Sequence, residues 1–314
     1  MVSFTQLAAT AVLAFCATAS ALPNNVHVRD DAELEQSYPI GMLPASKLKS
    51  LASSPVTTAQ HVHVDLSNLG NATVAEPSEQ VVAAAKRALA GRAVADTRVL
   101  YDNTNYPYRA MGRLIWSNGI YCSASLVGAR IVAAARHCVP LDGQQVTLTF
   151  QPDFYNSDRF ASSTVNTFIY VPKGQTGDCD VGYDWAFFIL NDALGNNQGY
   201  LGAKIIDQNN EINKAVFATF GYPGDLAGGA RPYRTTGITV SNANGCETGT
   251  PLKANAYVAG GQSGSPIFRL DDNGYYTYGT LSVQVSDGSG VVGGWWAAGQ
   301  TFINTLISAR NDFP

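Results

Sequence analysis

From about residue 93 onward the chain is written in short runs of β-forming residues, three to six long, separated by Gly, Asn, Asp and Pro. The runs are Ile131-Val132-Ala133, Val146-Thr147-Leu148-Thr149-Phe150, Phe168-Ile169-Tyr170-Val171 and Trp185-Ala186-Phe187-Phe188-Ile189-Leu190. They continue with Ala215-Val216-Phe217-Ala218-Thr219-Phe220, Gly237-Ile238-Thr239-Val240 and Tyr276-Thr277-Tyr278-Gly279-Thr280-Leu281. Runs this short are strand-sized, and the residues between them are those that turns require. Residues 93–314 therefore read as paired β-barrels or a sandwich, with the Asn- and Gly-rich stretch 191–202 as the link between halves. One helix is expected at the end, where Phe302, Ile303, Leu306 and Ile307 recur at helical spacing.

The first ninety residues follow a different logic. Residues 6–19 form a short apolar run that ends in Ala19-Ser20-Ala21, the pattern of a secretory signal peptide over residues 1–21, cut after Ala21 or Ala19. Its removal takes away Cys16 and leaves Cys122, Cys138, Cys179 and Cys246, the even number expected of a disulfide-bonded secreted protein. Residues 22–92 hold His27, His61 and His63, show helical patterning around Val81-Val82-Ala83-Ala84-Ala85, and close on Lys86-Arg87 and Arg92. This segment reads as a propeptide cut after Arg87 or Arg92. It carries the one N-x-S/T triplet of the chain, Asn71-Ala72-Thr73.

Composition narrows the functional classes. The chain is 46% hydrophobic, enough for a sizeable core, and only 14% charged with a net charge of −4. It has no Lys/Arg cluster of the nucleic-acid type and no apolar run near the roughly 18 residues a bilayer span needs, so neither nucleic acid nor, for the mature form, a membrane is an expected partner. No Cys-x-x-Cys or His-Glu-x-x-His motif occurs, and the spacing of Asp178, Asp180 and Asp184 does not fit an EF-hand. No metal or cofactor is expected.

Without the signal peptide and propeptide, His137 is the one histidine left, at the end of the apolar run 131–135 and beside Cys138. In Gly260-Gly261-Gln262-Ser263-Gly264-Ser265-Pro266 a serine is flanked by glycines. Such a sharp turn exposes a hydroxyl and points neighbouring N–H groups at one spot, which supplies a nucleophile and an oxyanion hole together. Asp184 stands directly before the apolar run 185–190, where a carboxylate is costly to bury without a donor, and an imidazole N–H would serve. Asp178 and Asp180 flank Cys179 in a stretch expected to be an exposed loop.

These three blocks, in the order His, Asp, Ser, resemble the secreted serine endopeptidases of the chymotrypsin fold. Ala134-Ala135-Arg136-His137-Cys138 is similar to that family's Thr-Ala-Ala-His-Cys, Asp184-Trp185-Ala186 to its Asp-Ile-Ala, and Gly261-Gln262-Ser263-Gly264-Ser265-Pro266 to its Gly-Asp-Ser-Gly-Gly-Pro. Tyr106-Pro107-Tyr108-Arg109-Ala110 and Cys122-Ser123-Ala124-Ser125-Leu126-Val127-Gly128 resemble the N-terminal blocks of the glutamyl endopeptidase branch and its fungal relatives. The resemblance covers roughly residues 99–310 and does not extend into the propeptide.

The resemblance implies an all-β fold: two six-stranded antiparallel β-barrels with the active site in the cleft between them, plus a short C-terminal helix. Residues 93–198 would form the first barrel with His137 and Asp184, and residues 199–314 the second with Ser263. It implies Ser263 as nucleophile, His137 as general base and acid, Asp184 as the orienting acid, and the N–H groups of Gly261 and Ser263 as the oxyanion hole. It also implies a Cys122–Cys138 disulfide, which leaves Cys179–Cys246. Expected partners are protein or peptide substrates, and the mature enzyme is expected to be a secreted monomer. A catalytically silent secreted binding protein on the same fold is the alternative.

Two departures from the family pattern matter. Gln262 replaces the common Asp before the nucleophile, so activation through a salt bridge from that Asp to a new amino terminus is not expected. The specificity-pocket candidates are Tyr257, Val258, Leu281 and Ser282. Leu281 and Val258 stand where the glutamyl branch carries its carboxylate-binding His and Thr, and Tyr257 stands at the pocket base. An apolar or small residue is expected on the acyl side of the cleaved bond, not Glu.

Overall fold

The computed structural model describes residues 35–44, 59–68, 70–79, 95–175, 177–243, 246, 248–272, 274–287 and 290–314. The early part of the described chain supplies five short strands: β1 (Glu35–Ser37), β2 (Gly41–Met42), β3 (Gln60–His63), β4 (Val74–Ala75) and β5 (Val99–Leu100). The first barrel follows with β6 (Met111–Trp116), β7 (Ile120–Leu126), β8 (Ile131–Ala135), β9 (Leu148–Pro152), β10 (Ser163–Tyr170) and β11 (Trp185–Leu190). After the bridging strand β12 (Gly202–Lys204) come β13 (Ala215–Gly221), β14 (Tyr233–Asn242), β15 (Thr250–Ala254), β16 (Pro266–Asp271), β17 (Gly274–Asp287) and β18 (Gly290–Ala298). The helices are α1 (Asp178–Gly182), α2 (Gly195–Gln198) and α3 (Gln300–Asp312).

Each set of six barrel strands closes on itself. The order β11-β8-β7-β6-β9-β10 is completed by β10–β11 pairing, and β16-β13-β14-β15-β18-β17 by β16–β17 pairing. Closure leaves no unpaired edge, so strands such as β6, β7, β8 and β11 are buried along their whole length. The first barrel's interior is filled by Leu114, Phe150, Phe168 and Phe188, and the second's by Phe217, Ile238, Leu252, Tyr278 and Trp296. Helix α3 fastens the C-terminus back onto the first barrel. Phe302 packs on Trp185 and Phe187 of β11, with ring centroids 5.6 and 5.1 Å apart.

Two disulfides staple the fold, Cys122–Cys138 and Cys179–Cys246. The first ties β7 to the single 3₁₀ turn Arg136–Cys138 at the end of β8.

Several local expectations need adjusting. The run expected from Val146 joins the sheet only at Leu148, because the Val146 N–H is already bonded to the Gln144 carbonyl at 3.0 Å. The link 191–202 contains the short helix α2, and α3 runs on to Asp312. The stretch around Cys179 is a helical turn and not an exposed loop: Asp180 pairs with Arg136 at 2.8 Å and Asp178 with Lys253 at 2.6 Å. The described parts of the segment 35–79, in which no fold was legible, add strands to both barrels, with β2 on β7, β3 on β10, β1 on β17 and β4 on β12. The expected signal peptide, the helical pattern at 81–85 and the basic positions Lys86, Arg87 and Arg92 lie outside the described residues.

Candidate active site

The cleft between the barrels brings together three residues from separate elements. His137 sits on the 3₁₀ turn that ends β8, Asp184 immediately before β11, and Ser263 in the loop before β16. His137 Nδ1 lies 2.6 Å from Asp184 Oδ2, and His137 Nε2 lies 2.6 Å from Ser263 Oγ. The His137 backbone N–H also donates to Asp184 Oδ1 at 3.0 Å, so the carboxylate grips both the ring and the chain that carries it.

Asp184 is 1% exposed. Burial alone would raise its pKa. The His137 ring, the Arg136 guanidinium and the Ser282 hydroxyl outweigh that and hold it below the usual carboxylate value. Ser282 donates to Asp184 Oδ2 at 2.6 Å. Ser282, a pocket candidate on sequence grounds, therefore turns its hydroxyl to the back of the carboxylate.

The loop that presents Ser263 is shaped by two glycines that no other residue could replace without strain. Gly261 has φ +95° and Gly264 φ +80°. A Cβ at Gly261 would fall 2.3 Å from the Tyr222 carbonyl oxygen, and one at Gly264 would fall 2.3 Å from that of Ser123. Ser123, on β7, props the loop from below. Its N–H donates to the Ser263 carbonyl at 2.8 Å and its hydroxyl to the Gly261 carbonyl at 2.8 Å. The Gly261 and Ser263 N–H groups consequently converge on one oxygen, at 2.5 and 3.1 Å. That oxygen is the carbonyl of Pro39.

Gln262 is held without a carboxylate partner. Its Oε1 accepts the Ala259 N–H at 3.0 Å and an Arg98 Nη1 donor at 3.3 Å. Arg98, whose side chain is 1% exposed, also binds Asp96 at 2.8 Å and Asp225 at 2.6 Å, and stacks 4.6 Å over the Tyr257 ring. Val258 and Leu281 are wholly buried in the apolar core of the second barrel. Beside His137 a recess of about 310 Å³ is lined by Trp116, Val139, Leu141 and Tyr170, with Tyr38 and Ile40 also in its wall. Among the described residues no group of three or more His, Cys, Asp or Glu is placed to hold a metal.

Sequence reasoning did not find Ser123, Arg98, Tyr38 or Pro39. Ser123 was within reach, since it lies in a block already singled out beside Cys122. The others carry no local signal.

A family model described as trypsin matches residues 100–295. Among solved structures, a Glu endopeptidase in complex with MPD superposes with a TM-score of 0.54 at 21% identity, covering 69% of this chain and 98% of that one. The protease Anisep from Arthrobacter nicotinovorans superposes with a TM-score of 0.49 at 22% identity, covering 64% of this chain and 97% of that one. No curated protein sequence matches.

Proposed function

The chain belongs to the trypsin family, and on that premise we propose that it is a secreted serine endopeptidase, made as a zymogen, that cleaves proteins through an acyl-enzyme. The observation that carries this reading is the unbroken line from Asp184 through His137 to Ser263, with both links at 2.6 Å and two N–H groups aimed at one oxygen beside the serine.

In this reading Ser263 Oγ attacks the substrate carbonyl carbon while His137 Nε2 takes its proton. Negative charge develops on the carbonyl oxygen, where the Gly261 and Ser263 N–H groups receive it. The C–N bond then breaks, with His137 returning the proton to the leaving amine. Water repeats the sequence on the acyl-enzyme and releases the acid. Asp184 keeps the imidazole in the tautomer with hydrogen on Nδ1 and stabilises the cation that forms.

Two disulfides support an oxidising destination. Among the described residues no helix is long and apolar enough to cross a membrane. The propeptide would comprise residues 22–92, released after Arg87 or Arg92. The apolar surroundings of Val258 and Leu281 support an apolar or small residue on the acyl side of the cleaved bond.

A fluorophosphonate probe tests the proposal, with casein turnover as the second readout. Labelling at Ser263 together with casein cleavage is expected. Absence of labelling in the matured protein overturns the reading and leaves a silent binding protein on the same fold.

A further inference from the structure

The cleft of the uncut chain is already occupied, by the chain's own residues 35–43. Glu35, Gln36 and Ser37 pair antiparallel with Ser286, Val285 and Gln284 of β17. Past the centre of the cleft, Gly41 and Met42 pair antiparallel with Tyr121 and Ile120 of β7, and the Leu43 N–H donates to the Gly119 carbonyl at 2.9 Å. Between these two ladders Pro39 is buried, and its carbonyl oxygen takes both the Gly261 and the Ser263 N–H. In acyl transfer, the carbonyl that those donors hold belongs to the bond under attack, and the nitrogen that follows is the leaving group. The peptide bond in that position is Pro39–Ile40.

We propose that residues 35–43 are a built-in substrate-like inhibitor, bound with Pro39–Ile40 in the place of a scissile bond, and that their register marks the enzyme's subsites. The inference rests on the triad reading above.

Three features make the segment a blocker and not a substrate. Pro39 has no N–H, so the ladder that Ser37 makes with Gln284 cannot be continued by a donor at the acyl residue. The Ile40 N–H is bonded to the Tyr38 carbonyl at 2.9 Å, which folds the leaving nitrogen back over the proline. The Tyr38 ring lies on the His137 ring, with centroids 4.3 Å apart and planes 21° apart, and so covers the base on that face.

Inhibition by occupancy is also the mechanism that this oxyanion loop permits. Gln262 is secured by Ala259 and Arg98 within the uncut chain, and the two N–H groups already converge. Latency therefore does not come from a collapsed oxyanion hole.

The same register describes the peptide class the cleft accepts. An aromatic side chain stacks on His137 just before the acyl residue, which is small and compact. An apolar side chain follows at the recess that Tyr38 and Ile40 wall. The next position tolerates only glycine in this pose, because a Cβ at Gly41 would fall 2.2 Å from the Tyr121 ring.

The test uses the full chain with Lys86, Arg87 and Arg92 changed to Ala so that it stays in one piece. Fluorophosphonate labelling of Ser263 is expected to be slow with the native segment and at least tenfold faster in Gly41→Phe. Pro39→Ala, which restores an N–H, is expected to yield a cut between positions 39 and 40, visible by mass spectrometry. Equal labelling rates in the native and Gly41→Phe chains, or rapid cleavage of the native Pro39–Ile40 bond, overturn the proposal.

If no form of the chain is ever labelled, the functional reading fails and occupancy is read separately in Ser263→Ala. There the amides at 261 and 263 are expected to exchange hydrogen at least tenfold faster once Gly41→Phe is added, with β6 and β7 amides reporting an intact fold. Unchanged exchange at 261 and 263 overturns the proposal independently of catalysis.

Discussion

Ser282 donates its hydroxyl to Asp184 Oδ2 at 2.6 Å, the same oxygen that meets His137 Nδ1 at 2.6 Å. A buried carboxylate must have its lone pairs satisfied, and here a serine from β17 in the second barrel completes what the first barrel begins. The contact ties the two barrels together at the centre of the site. Removing it frees the carboxylate to rotate away from the ring it orients. Ser282→Ala is expected to lower kcat about tenfold with KM little changed, the signature of lost positioning rather than lost binding. Steady-state kinetics on a peptide substrate checks it, and an unchanged kcat refutes it.

Asp184 carries a pH consequence. Its folded pKa is depressed, so the stability it contributes is present above the unfolded carboxyl value of about 3.9 and is lost as pH falls through the lower folded value. Asp184→Asn removes that contribution and also allows the wrong imidazole tautomer. Its kcat should fall about 10⁴-fold by analogy with other triad enzymes. The variant should also lose its stability deficit relative to wild type when both are unfolded at strongly acid pH. A deficit that is the same at pH 7 and pH 2 contradicts this.

Ser263→Ala deletes the proposed nucleophile and leaves the Gly261 and residue-263 N–H groups in place. A fall in kcat of roughly 10⁴ or more is expected. Retention of a tenth of wild-type proteolysis would remove Ser263 from its assigned role.

Glu should be a poor acyl-side residue. Val258 and Leu281 offer no donors, and the Arg98 guanidinium beside Tyr257 is already committed to Asp96 and Asp225. Burying a carboxylate in such surroundings would cost several kcal/mol. A peptide-library cleavage profile is expected to rank Leu, Phe and small residues above Glu, and the reverse order sinks the prediction.

Asp153 is a pH-sensitive weak point outside the cleft. It is wholly buried, and although Arg159 lies 3.3 Å away, burial dominates and pushes its carboxyl up to about 6. A raised folded pKa means the native state holds the extra proton between about pH 4 and 6. This residue therefore favours folding at low pH and costs about 3 kcal/mol above pH 6. Asp153→Asn should raise the melting temperature at pH 8 and have little effect near pH 4. Its φ of +42° is one that Asn accepts. Equal shifts at both pH values would contradict the assignment.

The Cys122–Cys138 bond closes a loop with a sequence separation of 16. Replacing both cysteines with Ala should cost about 3 kcal/mol of stability. Chemical denaturation measures this, and peptide mapping without reductant checks both pairings.

What the sequence determined by itself was what local patterning can carry. Strand-sized runs with turn residues between them pointed to paired β-barrels or a sandwich, and the family resemblance singled out the barrels, which bury the apolar faces of short strands without leaving edges. His137, Asp184 and Ser263 were each legible because the constraint on each is local: the end of an apolar run, the mouth of another, and a serine between glycines. The tertiary structure decided the rest, because those interactions join residues far apart in the chain. Ser282 reaches Asp184 across 98 residues, and Arg98 reaches Gln262 across 164. Nothing in Tyr38-Pro39-Ile40-Gly41 announces that the Pro39 carbonyl will accept both the Gly261 and the Ser263 N–H. A peptide that binds through backbone ladders needs little from its own side chains, so its sequence is unremarkable until the two barrels bring β17 and β7 to either side of it.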